Sequence, residues 1–301
     1  MTVIECSHLE KRYKNGAGVK DADFIIQENT ITGIVGRNGS GKTTLMKTIA
    51  GYLKKTGGDI SVFGETPFNS LKVSANSMYL DEYTVFSNAL TTKDILHHHG
   101  RFYPNWDADL AKKLANYFAI PMNVGTDYLS KGQKNTFFGI LGLAARCPLT
   151  IFDEPTTGMD ASVRKDFYRA LLKDYLAHPR TILISSHHLD EIDELIEDLL
   201  LIDGGRSILH LPIEEVKEYS MAVSGPAMQV ENWSAQQDVI ARLEEKGGFS
   251  TVIVKNHFTA AEKAAARDLR FTPVSASDLC VYLTRRNIGG IDDVFSNSQH
   301  G

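Results

Sequence analysis

The chain has 301 residues, 43% of them hydrophobic and 23% charged, with a net charge of −5. This is an ordinary globular composition, long enough for one large domain and a small one, or for two of medium size. The acidic balance, with a pI near 6.1, argues against a nucleic-acid binder, whose contact face is basic.

Cys6, Cys147 and Cys280 have neither paired nor metal-ligand spacing, which implies reduced thiols in a cytosolic setting. Glu5 puts a charge near the start, so no signal peptide is expected. The most apolar stretch, Thr136 to Cys147, falls well short of the roughly 20 residues of a membrane span. A membrane role therefore has to come through a partner.

In chain order, Thr2 to about Gln27 alternates as two strands around a turn at Lys14–Gly18. Thr30–Val35 predicts a buried strand and Leu45–Ala50 a helix stopped by Gly51. Asp59–Phe63 and Asn76–Leu80 are short strand candidates. From Thr91 to Arg146 the period becomes helical, with three helices broken at Pro104 and at Ile120-Pro121. Strand Leu149–Phe152, helix Asp160–Ala177 and strand Thr181–Ser185 follow, and Asp203-Gly204-Gly205 turns between two further strands. Alternating strands and helices imply an α/β fold with a largely parallel sheet, and the helical stretch at about 83–147 reads as an inserted subdomain. Pro212–Tyr219 reads as a helix, and a domain boundary is set near Leu211. Residues 212–301 then form a small α+β unit: strands at Met221–Val223 and Ser250–Val254, helices at Ala235–Lys246, Ala260–Ala265 and Ser277–Arg285. Asn287–Gly301 has little apolar content and is expected to be a mobile tail.

Gly36-Arg37-Asn38-Gly39-Ser40-Gly41-Lys42-Thr43-Thr44 fits the G-x-x-x-x-G-K-[ST] pattern between a strand and a helix, the context that a phosphate-binding loop requires. Glycines let successive N–H groups converge on phosphate oxygens, and the helix N-terminus adds partial positive charge. Lys42 reaches the β- and γ-phosphates, and the Thr43 hydroxyl can ligate Mg²⁺. Asp153 and Glu154 are adjacent at a strand end, so their side chains diverge: one can serve a Mg²⁺ shell while the other faces a water in line with the γ-phosphate. His97, His98 and His99 are consecutive on a helix and cannot converge on one ion, so a solvated helix face is expected there.

Further motifs carry a resemblance. Leu129-Ser130-Lys131-Gly132-Gln133 resembles the ABC ATPase signature, usually L-S-G-G-Q. The apolar strand ending in Asp153-Glu154 resembles a Walker B motif, Thr157-Gly158-Met159-Asp160 the D-loop, and Ser185-Ser186-His187 the switch-histidine motif. In this order they cover about residues 1–210, and with Phe102–Asp107 the chain looks most like the bacterial exporter-type ATPase subunits of the YtrB/EcsA-like group. The resemblance implies a P-loop NTPase: a RecA-like core with a mixed sheet, an inserted helical signature subdomain, and a small C-terminal α+β accessory or regulatory domain. It implies ATP and Mg²⁺, with Gly36, Asn38, Gly39, Ser40, Gly41, Lys42, Thr43 and Thr44 cradling phosphate and Tyr13 stacking on the base. Thr43 and Asp153 take the metal, Glu154 polarises water, and His187 contacts the γ-phosphate. Ser130, Gly132, Gln133 and Asp160 bind nucleotide, the signature completing the site of an opposite subunit.

Lys131 stands where the commonest signature has glycine, and Glu82, in Tyr79-Leu80-Asp81-Glu82, stands where the family often has glutamine. Glu82 can join a magnesium shell or link nucleotide state to the helical subdomain. The resemblance further implies a second ATPase subunit, identical or different, and an integral-membrane transporter subunit that holds this chain at the inner face of the cell membrane. No nucleic-acid partner is expected. An exporter is the main expectation. An importer ATPase, or a soluble ABC-type ATPase of translation, mechanics or regulation, is the alternative. Only 88 residues separate Lys42 from Ser130, room for the helical subdomain but not for a long coiled coil.

Overall fold

The computed structural model describes residues 1–266 and 268–285. The chain divides into two compact units, Met1–Val216 and Lys217–Gly301. The sequence-based boundary near Leu211 lies slightly earlier, at the end of a strand. The expected tail at Asn287–Gly301 lies outside the described residues.

The first unit opens with an antiparallel pair, β1 (Thr2–Arg12) and β2 (Gly18–Gln27). Strand β3 (Ile31–Val35) is buried at every position and leads through the glycine loop to helix α1 (Lys42–Ile49). The helix starts three residues before the sequence-based expectation, because Lys42 to Thr44 close its first turn above the left-handed Gly41. Strand β4 (Gly57–Val62), helix α2 (Leu71–Asn76) and strand β5 (Ser77–Leu80) follow. Helix α2 has no counterpart among the sequence-based elements; its start is set by Ser70, whose hydroxyl accepts from the Val73 N–H.

The helical stretch consists of α3 (Thr92–His99), α4 (Ala108–Tyr117) and α5 (Lys131–Ala145). Each begins on a capping side chain: a Thr91/Asp94 box starts α3, Asp107 starts α4, and a Ser130/Gln133 box starts α5. Helix α5 is buried from Asn135 to Ala145, which explains its nearly unbroken apolar run. Strand β6 (Leu149–Phe152), helix α6 (Ala161–Ala177), strands β7 (Thr181–Ser186), β8 (Asp198–Asp203) and β9 (Arg206–Pro212) and helix α7 (Ile213–Glu218) complete the run. The nine strands form one mixed sheet in the order β4-β1-β2-β9-β8-β3-β7-β6-β5. Strands β8-β3-β7-β6-β5 run parallel to one another, β2 also meets β9 parallel, and the remaining pairs are antiparallel. Phe152 of β6 and Phe167 of α6 meet edge-on at 5.9 Å, both fully buried. Each such side chain contributes about 1.5–3 kcal/mol through burial.

In the second unit, β10 (Ser220–Pro226), α8 (Ala227–Ser234), β11 (Val239–Lys246), β12 (Phe249–Lys255), α9 (Ala260–Ala265), β13 (Arg270–Pro273) and α10 (Ala276–Leu283) follow in turn. The sheet order β11-β12-β10-β13 is antiparallel throughout, the split βαβ arrangement of ferredoxin-like units. The expected helix at Ala235–Lys246 is corrected to a turn and strand β11. Its residues favour helix locally, but Gly247 and Gly248 both have positive φ and close a tight hairpin, pairing Val239 with Val254 on β12. Strand β13 is also additional to the expected elements, since four residues carry little periodic signal. A small core of Val223, Val230, Val252 and Val254 packs with Trp233, Phe258 and Phe271.

The histidine run corrects a second expectation. His97 is exposed, but His99 is buried, its Nδ1–H donating to the Ile95 carbonyl at 2.8 Å. Its ring contacts Phe86, Tyr103 and Trp106 at centroid separations of 5.4–5.7 Å. Burial holds its pKa below the usual histidine value. The neutral ring therefore contributes stability fully above the ordinary value near 6.5, and loses it as pH falls toward the depressed folded value. In chemical denaturation of wild type and His99→Phe, the stability of wild type relative to the variant should shrink from pH 7.5 to pH 5.5. A difference independent of pH would contradict the buried neutral ring.

Candidate active site

The site lies beyond the carboxyl ends of β3, β6 and β7, where an open parallel sheet leaves a crevice. The chain leaves β3 at Gly36, where a Cβ would overlap the Ile202 carbonyl of β8; only glycine lets the loop start there. Gly39 and Gly41 take positive φ, turning the backbone toward the start of α1. The Lys42 ammonium donates to the Gly36 carbonyl at 2.6 Å and the Arg37 carbonyl at 3.3 Å, so it is bent back over the loop. Burial lowers its pKa, opposed by Glu154 and Asp153. The Ser40 hydroxyl is buried with no hydrogen-bond partner among the described residues. An unfilled donor beneath converging N–H groups fits a loop built for phosphate oxygens.

Tyr13, Ala17, Gly18, Asn38–Thr44 and Glu154 line one cavity of about 240 Å³. Tyr13 is exposed, its ring beneath the Lys11 ammonium at 5.5 Å. Glu154 also lines a second cavity of about 260 Å³ with Thr156–Met159, Ser185, Ser186, His187 and His188. The structure therefore brings Tyr13, the glycine loop, Glu154 and His187 to adjoining spaces.

Glu154 links them directly. Its Oε1 lies 3.7 Å from Lys42 Nζ, and its Oε2 lies 3.5 Å from His187 Nδ1. Its backbone is left-handed, φ 49°, an unusual state for a non-glycine residue that costs about 1 kcal/mol. The Glu154 N–H donates to Ser185 Oγ at 2.8 Å, which anchors the turn. The preceding Asp153 is buried, accepting from Ser185 Oγ at 2.7 Å and from the Tyr79 hydroxyl at 2.9 Å. The oxygen donors of Asp153 and Thr43 suit a hard divalent cation such as Mg²⁺. Tyr79 and Ser185 carry no role in the sequence-based reading. A tyrosine between Met78 and Leu80 on a buried strand is the available signal, since a buried phenol needs a partner.

Ser130, Gly132 and Gln133 do not line the cavity of the glycine loop. Ser130 is the N-cap of α5: its hydroxyl accepts from the Gln133 N–H at 3.3 Å, and the Gln133 side chain accepts from the Ser130 N–H at 3.0 Å. This turn packs against the Thr157–Met159 segment, where Asn135 Nδ2 donates to the Thr157 carbonyl at 2.6 Å and a Cβ at Gly132 would overlap the Gly158 carbonyl. Asp160 is exposed and caps α6, accepting from the Val163 N–H at 2.9 Å. Glu82 Oε2 meets Lys131 Nζ at 2.6 Å, so the two departures from the family pattern contact each other. Lys131 holds Glu82 below the usual glutamate range, and Glu82 holds Lys131 above the usual lysine range.

A family model described as "ABC transporter" matches residues 19–157. The ABC transporter ATP-binding protein YtrB of Bacillus subtilis (strain 168) is 29% identical over 252 residues, 84% of this chain and 86% of that protein. The zinc uptake system ATP-binding protein ZurA of Listeria monocytogenes is 31% identical over 216 residues, 67% of this chain and 82% of that protein. The bacitracin transport ATP-binding protein BcrA of Bacillus licheniformis is 26% identical, covering 85% of this chain and 90% of that one. A solved structure of an ATP binding subunit of an ABC transporter shares the fold, with a TM-score of 0.63 at 22% identity over 72% of this chain and 92% of that one. The glycine loop and the Asp153-Glu154 strand end sit on that shared fold, and a relative above 30% identity is matched over most of its length. This chain belongs to the ATP-binding subunits of ABC transporters, and the activity it carries is ATP hydrolysis.

Proposed function

We propose that two ATPase chains bury ATP between them head to tail, and that this closure drives a separate membrane subunit of an exporter. The observation that carries the reading is a division of labour. Lys42, Glu154 and His187 converge on one side, while the exposed Ser130 corner faces no phosphate loop of its own chain. A second ATPase chain, identical or different, supplies the missing side.

Within each site the glycine loop N–H groups, Ser40 and Lys42 hold the phosphates, and Tyr13 offers its ring to the base. Thr43 and Asp153 hold Mg²⁺, which when bound neutralises charge on the transferring phosphoryl group. Glu154 faces the attacking water and accepts its proton, with His187 beside it orienting the water. This chemistry is positioning and charge stabilisation more than covalent catalysis. Ser130, Gly132, Gln133 and Asp160 serve the nucleotide of the opposite ATPase chain. Glu82, already engaged with Lys131 at the head of α5, is assigned to coupling rather than to the metal shell.

Among the described residues no helix is long and apolar enough to cross a membrane, and the path for the cargo is assigned to the membrane partner. Export is supported by a relative named for it: the SkfA peptide export ATP-binding protein SkfE of Bacillus subtilis (strain 168) is 27% identical, covering 72% of this chain and 92% of that protein. The second unit is assigned an accessory role in regulating or supporting the dimer. An importer ATPase is the second reading, favoured only by the identity of the zinc uptake relative.

Glu154→Gln should lower ATP turnover by about a hundredfold or more and trap an ATP-bound dimer. Light scattering in saturating MgATP checks this, and a variant that stays monomeric contradicts the sandwich. Glu82→Ala should leave nucleotide binding intact while weakening stimulation of ATPase by the membrane partner. Unchanged basal and stimulated rates would remove the coupling role of Glu82. The exposed Glu82–Lys131 pair is worth at most about 1 kcal/mol, so the variant should remain folded.

A further inference from the structure

We propose that Tyr79 is a positioning residue for Asp153: its hydroxyl fixes the plane of the carboxylate that holds the metal. The inference rests on the proposed metal role of Asp153. Asp153 is buried, and among the described residues no ion pair reaches it. Hydroxyls meet it from two sides, Ser185 on Oδ1 at 2.7 Å and Tyr79 on Oδ2 at 2.9 Å. Two donors on different oxygens of one carboxylate set its rotation and leave a lone pair on each oxygen for a cation or its water shell.

Tyr79 stands between two acids, since its oxygen also lies 3.3 Å from Asp81 Oδ2. A phenol has one proton to give, and the shorter contact takes it. Asp81 does not depend on it, being paired with Lys47 at 2.9 Å and accepting from the Thr84 hydroxyl and the Tyr83 N–H. Burial and the two carboxylates raise the Tyr79 pKa, so the hydroxyl keeps its proton throughout the working range. The ring itself is held. Tyr52 meets it edge-on at 5.4 Å, and Tyr79 pairs with Ile151 in the parallel register of β5 and β6. The Asp153 N–H donates to the Leu80 carbonyl at 2.9 Å, fixing the height of the carboxylate against the phenol. Tyr79 lies on β5, and Glu82 follows two residues beyond the end of that strand.

The test uses the full chain with saturating ADP and Mn²⁺ as the probe, read by electron paramagnetic resonance. Tyr79→Phe keeps the ring and removes the hydroxyl. It should weaken Mn²⁺ binding about tenfold while leaving ADP affinity in EDTA unchanged. Asp153→Asn is the reference and should lose Mn²⁺ binding. If Asp153→Asn binds Mn²⁺ like wild type, the metal assignment itself fails. If Asp153→Asn loses Mn²⁺ and Tyr79→Phe does not, the role of Tyr79 fails alone. Intact ADP binding in EDTA shows that the Phe variant is folded. Should it not be, 3-fluorotyrosine in place of Tyr79 keeps the packing and makes the hydroxyl a stronger donor. Mn²⁺ affinity must then shift, and an unchanged affinity overturns the proposal.

Discussion

Two adjacent acids at the end of one buried strand must point to different places, and the site is organised around that requirement. Asp153 continues the direction of β6 and stays buried, held by hydroxyls from β5 and β7. Glu154 then bends left-handed, and its side chain swings between Lys42 and His187. The strain of that turn is offset by the bond from its N–H to Ser185, which also serves Asp153. One serine hydroxyl thus accepts from the backbone of one acid and donates to the side chain of the other. A parallel sheet makes this possible, because β5, β6 and β7 deliver Tyr79, the acid pair and Ser185 at neighbouring strand ends.

The glycine loop is legible in the sequence because its chemistry is local: the residue types, their spacing and the flanking strand and helix all sit within one short run. The acid pair is legible for the same reason. Tyr79 and Ser185 are not, since their partner lies 74 and 32 residues away and only strand order brings them together. His99 reads as solvated with its two neighbours. Its burial depends on Phe86, Tyr103 and Trp106, which converge only when the subdomain folds. Strand β11 reads as helix because its residues favour helix locally, a preference that yields to a Gly-Gly hairpin and cross-strand pairing. In each case a nonlocal contact overrides a local preference.

The signature turn shows how one residue can satisfy both a fold and a function. Ser130 and Gln133 cap each other across the first turn of α5, which leaves the helix N-terminus formed and open. Gly132 lets that turn lie against the Thr157–Met159 segment. Lys131 adds a charge to the turn, and Glu82 answers it from the end of β5. The helical subdomain is therefore tied to the strand whose tyrosine touches the buried acid. The second unit, a ferredoxin-like sheet with its own small core, is organised on separate lines.

A crosslink between the phosphate loop of one copy and the signature turn of another is the sharpest check on a shared nucleotide site. Asn38 and Ser130 are both exposed, and the native cysteines are buried, so Asn38→Cys in one preparation and Ser130→Cys in a second give a selective pair. Mixed with MgATP in a Glu154→Gln background, the two should form a covalent heterodimer through a short thiol linker, and should not do so without nucleotide. If no nucleotide-dependent bond forms between different copies, a site shared between two copies of this chain does not exist.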